Sequence, residues 1–199
     1  VHDWRGLFAK NGRHPETRVD NYAEWGRRGG WSSSSGRGWA NLSNAPFRMY
    51  KRYTHEGGVA TPLIVHWPAG MKAKGELRHV PGHLIDIAPT CLAAAGLEGK
   101  GMEGQSLLPV FARDQKQART LYWEHEGNRA VRKGDYKLVA IHNTPWELYD
   151  MSKDRSELKN LSSAMPKKTK ELRTAYEAWA KRVGAKPWDE INVKKKKKK

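Results

Sequence analysis

Residues 119–151 constrain the fold most tightly. Four short β-like stretches follow one another there: RTLYWEHE, NRAVRKG, YKLVAIH and WELYDM. Turn residues separate them at EGN, KGD and HNTP. Strands this short, joined by turns this tight, can pair only as hairpins, so the segment predicts an antiparallel four-stranded meander. Such a sheet needs at least one covered face. The stretch SSAMPKKTKELRTAYEAWAKRVG follows and places Leu172, Tyr176, Trp179 and Val183 at helical spacing. Ser162 or Ser163 is the expected N-cap and Gly184 the stop, and the apolar stripe is expected on the sheet.

The front of the chain is less regular. Residues 5–9 read as a short strand ending at KNG. Residues 13–44 show little periodicity and are rich in Gly, Ser, Arg and Trp, which suggests a long loop with a task rather than a plain linker. Pro46 suits the first position of a short helix, PFRMYKRYTHE, with Phe47 and Tyr50 on one face and Gly57-Gly58 as its end. TPLIVHW, bounded by Pro62 and Pro68, reads as a short buried strand. HLIDIAPTCLAAAGL predicts a helix over residues 84–95 with Gly96 as C-cap, kinked or delayed by Pro89, and with Cys91 as a buried structural thiol. The chain therefore divides into residues 1–114, a small α+β unit at 115–187, and a basic, disordered tail at 188–199.

Composition narrows the class. The 199 residues contain one cysteine, which excludes an intrachain disulfide and a cysteine-based zinc site. No segment approaches 18 uninterrupted apolar residues, so no membrane span is expected. VHDWRGLFAKNG lacks the apolar core of a signal peptide, and the start reads as a chain entered in its middle. The net charge is +16; the six lysines of residues 194–199 supply six of it, and the body remains at +10. That field favours anionic partners such as nucleic acid, acidic polysaccharide, or phosphate and sulfate esters, although plain solubility accounts for it equally well. The lysine run itself reads three ways: an anionic-surface binder, an added tag, or translated A-rich sequence.

In KRYTHEGGVATPLIVHWPAG, Lys51 and His55 stand just ahead of a Gly-Gly turn and an apolar run. A lysine at a helix end is ordinarily a solvated charge. This one belongs to a longer pattern. GRGWANLSNAPFRMYKRYTHEGGVATPLIVHWPAG, PGHLIDIAPTCLAAAG, EGQSL, LYWEHEGNRAVRKGDYKLV and WELYDMSKDRSELKNL follow in an order and spacing that resembles the C-terminal portion of bacterial arylsulfatase-like sulfatases, over residues 36–181.

The resemblance implies an α/β fold: part of an alkaline-phosphatase-like sulfatase core, then a small antiparallel four-stranded sheet with a packed helix. It implies hydrolysis of sulfate esters, with sulfated polysaccharide as one candidate substrate, by a hydrated formylglycine made from Cys or Ser, with a calcium ion on Asp and Asn oxygens. Lys51 matches the family's sulfate-contacting lysine, five residues ahead of Glu-Gly-Gly, and is the expected catalytic and substrate-binding cation. His55 is the expected second substrate contact, against a plain loop histidine. Glu56 is expected to hold the turn through backbone donors. The family is often periplasmic or extracellular; the chain itself leaves the compartment unknown.

Departures limit the match. The family's Asp-Asn-Gly metal stretch corresponds to FAKNG, where Asn11 supplies the expected metal ligand but Lys10 replaces the Asp. An ammonium group cannot ligate calcium. Either the first dozen residues are foreign or the metal site is altered. The nucleophile motif, Cys- or Ser-x-Pro-x-Arg, is absent from the chain, so the formylglycine and the missing N-terminal portion of the core would have to come from elsewhere. Alone, the chain is expected to be inactive. Two alternatives stay open: a phosphoester or phosphonate hydrolase of the same superfamily, and a non-catalytic polyanion binder working through its charge. No specific nucleic-acid partner is expected.

Overall fold

The computed structural model describes residues 36–72, 75–114 and 119–192. The expected strand at residues 5–9, Lys10, Asn11 and the lysines at 194–199 lie outside the described residues.

The meander forms as expected. β1 (Thr120–His125), β2 (Asn128–Lys133), β3 (Tyr136–Ala140) and β4 (Glu147–Asp150) pair antiparallel in sequence order. The register sets Tyr122 against Val131 and Val131 against Leu138, and Leu138 against Leu148. The β1–β2 connection is a two-residue loop in which Glu126 and Gly127 have φ of 51° and 81°. Positive φ at both positions twists the hairpin in the sense its strands require.

Alternation along the strands gives the sheet two faces. On one, Val131, Leu138 and Leu148 pack against Leu172 and Tyr176 of α5 (Pro166–Val183). Tyr122 and Trp179 stack there, with centroids 5.0 Å apart and planes within 3°. Gly184 closes α5 with φ of 70°, as expected. The N-terminus differs from expectation: Met165 occupies the N-cap and Pro166 the first helical position, where a missing N–H costs nothing. Val183 ends the stripe on the exposed side. The other sheet face carries Ala130, Val139, Tyr149 and Met151, with Trp123 beside them. Lys137 shares it and is fully buried. This face is covered by the front of the chain.

In that front, the long loop read over residues 13–44 ends in a helix, α1 (Gly36–Ser43). Its polar side chains serve its own backbone: Asn41 Nδ2 donates to the Arg37 carbonyl at 2.9 Å, and Ser43 Oγ to that of Trp39 at 2.8 Å. The helix expected from Pro46 does not form. Met49 and Arg52 have φ of 64° and 91°, which no right-handed helix admits. Only α2 (Glu56–Val59) follows, a single turn. Beyond it, a 3-10 turn at Leu84–Asp86 leads into α3 (Ile87–Ala94), so Pro89 falls in the first turn and causes no kink. Leu97 N closes α3 on the Leu92 carbonyl at 2.8 Å, with Gly96 at φ 73°. Cys91, expected to be buried, is exposed. A short α4 (Leu108–Ala112) precedes β1.

Two expectations fail for reasons of partnership. TPLIVHW is not a strand: it has no ladder partner among the described residues, and Leu63 and Ile64 are 56% and 90% exposed. Leu84, Ile85 and Ile87 are exposed as well. Residues 188–191, expected in the disordered tail, form a one-turn helix, α6 (Trp188–Ile191), whose Asp189 lies 3.1 Å from His142 Nε2. Among the described residues, no helix is long and apolar enough to cross a membrane.

Candidate functional site

The turn at residues 48–58 is built on glycine. A Cβ at Gly57 would overlap the carbonyl oxygens of Arg48 and Met49, and one at Gly58 that of Tyr53. Gly57 N donates to the Arg48 carbonyl at 2.8 Å and Gly58 N to that of His55 at 2.8 Å. The chain thus folds back on itself, and Lys51 sits at the bend.

The polar sheet face grips this turn from beneath. Lys137 Nζ donates to Glu56 Oε1 at 2.8 Å and stands 2.8 Å from Glu157 Oε1, at an angle unsuited to a hydrogen bond. Glu157 Oε2 accepts from Glu56 N at 2.9 Å. The Glu56 side chain therefore takes a lysine, where the sequence suggested backbone donors. Arg48 NH1 donates to the Glu157 carbonyl at 2.6 Å and to Tyr149 Oη at 2.8 Å, and Tyr149 Oη donates to Glu147 Oε2 at 2.6 Å. Burial works against the Glu147 anion, but the donors Tyr149 and His55 hold its carboxyl below the usual range.

His55, the expected substrate contact, is 0% exposed, and its Nε2 lies 3.3 Å from Glu147 Oε2. Burial pushes its pKa down, although the carboxylates of Glu157 and Glu147 pull the other way. A neutral ring donates to Glu147 only as the Nε2–H tautomer. Its Nδ1 then has no partner among the described residues, and neither does the buried Thr54 Oγ1.

Lys51 is exposed on the wall of an open cleft of about 620 Å³. Tyr50 and Thr54 also line the cleft, together with Trp123 and His125 of β1. The β1–β2 loop braces the turn: Arg52 pairs with Glu126, and Asn128 Nδ2 donates to the Arg52 carbonyl at 3.1 Å. The arrangement presents an ammonium group and aromatic rings to an open space. That is a surface for an anionic, hydroxyl-bearing ligand.

A second clasp joins the front to β1. Asp86 is fully buried, and accepts from Arg119 through both carboxylate oxygens, from His83 N at 2.7 Å and from Gln105 N at 3.0 Å. Burial opposes the charge, but these donors keep its pKa below the ordinary value.

Sequence reasoning singled out Lys51 and His55 and missed Lys137, Glu157, Glu147 and Arg48. The available signal was faint: Lys137 alternates with Val139 on a face for which the sequence offers no covering helix. Among the described residues, no group of three or more His, Cys, Asp or Glu side chains is placed to hold a metal ion. Asn11, the ligand expected for the calcium that the resemblance implies, lies outside the described residues.

Comparison with known proteins bears on these features together. Residues 47–181 match the family model described as N-sulphoglucosamine sulphohydrolase, C-terminal. An uncharacterized sulfatase of Schizosaccharomyces pombe is 33% identical over 154 residues, which cover 67% of this chain and 27% of the relative. N-acetylgalactosamine-6-sulfatase of Mus musculus is 33% identical over 126 residues, 60% of this chain and 24% of the relative. N-acetylglucosamine-6-O-sulfatase of Bacteroides thetaiotaomicron is 32% identical over 140 residues, 61% and 25% respectively. Among solved structures, Ps i-CgsB superposes with a TM-score of 0.62 and 25% identity over 70% of this chain and 34% of its own. The chain spans about a quarter of the length of these curated relatives.

Proposed function

Because the chain belongs to the sulfatase family, matching its C-terminal portion, we propose that it supplies the Lys51 side of a site that hydrolyses sulfate esters. The observation that carries this reading is Lys51 itself. Its ammonium group faces an open cleft while the backbone beneath it is locked by Gly57, Gly58 and the buried Glu56. A fixed cation stabilises the negative charge that builds on sulfuryl and leaving oxygens as the ester S–O bond breaks.

The ligand is a sulfated saccharide. Tyr50, Trp123 and His125 offer rings and polar edges suited to a sugar. Two relatives are 6-sulfatases of N-acetylated amino sugars by name, and Ps i-CgsB has also been solved with k-i-k-neocarrahexaose. An aryl sulfate would leave the polar groups of the cleft unused. His55 acts behind the cleft, through Glu147, and holds the turn.

The formylglycine nucleophile and the paired Asp ligands of the calcium ion belong to the N-terminal portion of the complete enzyme, with Asn11 of this chain as a further ligand. The same portion accounts for residues 61–67. With Leu63 and Ile64 exposed and residues 62–66 free of backbone hydrogen bonds among the described residues, they are suited to join a sheet of that core by strand addition, and the same portion would cover the exposed Leu84, Ile85 and Ile87. The test is to read the genomic coding sequence upstream of Val1. An in-frame Cys- or Ser-x-Pro-x-Arg segment supports the proposal. A stop codon or unrelated sequence overturns it, and polyanion binding becomes the better account.

A further inference from the structure

We propose that the buried Glu56–Lys137–Glu157 triad is a positioning device that sets where Lys51 stands, so that the small C-terminal sheet acts on the site rather than merely adjoining it. The link to Lys51 rests on the sulfate-binding reading above; the hold on the turn does not. Lys137, the second residue of β3, is 0% exposed, and a lysine without partners would be intolerable there. Its partners come from far away in the chain. Glu56 belongs to α2, 81 residues earlier, and Glu157 to the loop after β4. Arg155 NH2, 3.7 Å from Glu56 Oε2, balances the second carboxylate.

The geometry has a direction. Glu157 has φ of 57° and bonds the Glu56 amide, so one carboxylate fixes both the ammonium and the backbone where α2 begins. Two residues on, Gly58 closes against the Tyr53 carbonyl, and Gly57 N against that of Arg48. Moving Glu56 would therefore open the loop whose bend is Lys51. A buried ion cluster of this kind adds little net stability over apolar packing, but it does select one arrangement.

The test uses the full 199-residue chain and two variants. Lys137→Met removes the ammonium at similar length. Glu56→Gln/Lys137→Met/Glu157→Gln removes all three charges and serves where the single variant does not fold. Amide exchange at Gly57 and Gly58 is expected to quicken by about tenfold or more, with Val131 and Leu138 unchanged. Inorganic sulfate, followed through the amide shifts of residues 50–58, is expected to bind about tenfold more weakly, as it should in Lys51→Ala. Unchanged exchange at the turn in a folded variant overturns the inference. So does quickened exchange with sulfate affinity intact. If the unaltered chain binds no sulfate at residues 50–58, the reading of Lys51 falls, while exchange still decides whether the triad holds the turn.

Discussion

Arg119 donates both arms of its guanidinium to Asp86, a carboxylate with no exposed surface at the start of α3. The pair ties the start of α3 to the residue that leads into the first strand of the sheet. Asp86 also accepts the His83 and Gln105 amides, so one side chain organises three segments.

Removing one partner leaves a buried charge uncompensated. Arg119→Met should lower unfolding free energy by about 3 kcal/mol, read as a shift in the denaturant midpoint. Asp86→Asn combined with Arg119→Met should cost less than Arg119→Met alone, because it removes the orphaned anion. Equal costs for the two would show that the pair is not a buried unit.

Acid should weaken the fold in two stages. Burial depresses the pKa of His55 and of His83, so the folded state binds fewer protons than the unfolded chain once pH falls below the ordinary histidine value of about 6.5. Their contribution is complete above that value and is lost as pH drops through it toward the folded pKa values. The depressed Asp86 and Glu147 carboxyls contribute above the ordinary carboxyl range and are lost below it. Melting temperature should therefore be level just above neutrality and begin to fall below about pH 6.5, well before carboxyl titration. A level profile down to about pH 5 contradicts the burial of both rings.

The meander and its helix were legible because their determinants are local. Alternation in YKLVA, turn residues at EGN and KGD, and the Leu172–Tyr176 spacing each act within a few residues. What failed depends on distant partners. Lys137 reads as a solvent-facing strand lysine until Glu56 and Glu157 are brought to it. TPLIVHW has the composition of a buried strand, but no strand beside it among the described residues. His55 sits next to Lys51 in sequence and looks like a companion ligand; the turn sends one outward and the other under the sheet. The positive φ of Met49 and Arg52, forced by closure on Gly57 and Gly58, was not visible in PFRMYKRYTHE.

Residues 62–66 make no backbone hydrogen bonds among the described residues, and should exchange their amide hydrogens as fast as unstructured peptide, while β2 and β3 are protected. Protection of residues 63–65 in the 199-residue chain would mean that the segment already has a partner, against the reading that the N-terminal core supplies it.

The central claim is that Lys51 receives the sulfate of a sulfated sugar. Its most direct test is calorimetric titration of N-acetylglucosamine 6-sulfate into the chain and into Lys51→Ala, with N-acetylglucosamine as the control. The account predicts saturable binding of the sulfated sugar, weakened about tenfold or more by Lys51→Ala, and little binding of the unsulfated one. Equal affinity in Lys51→Ala, or equal affinity for both sugars, would contradict it.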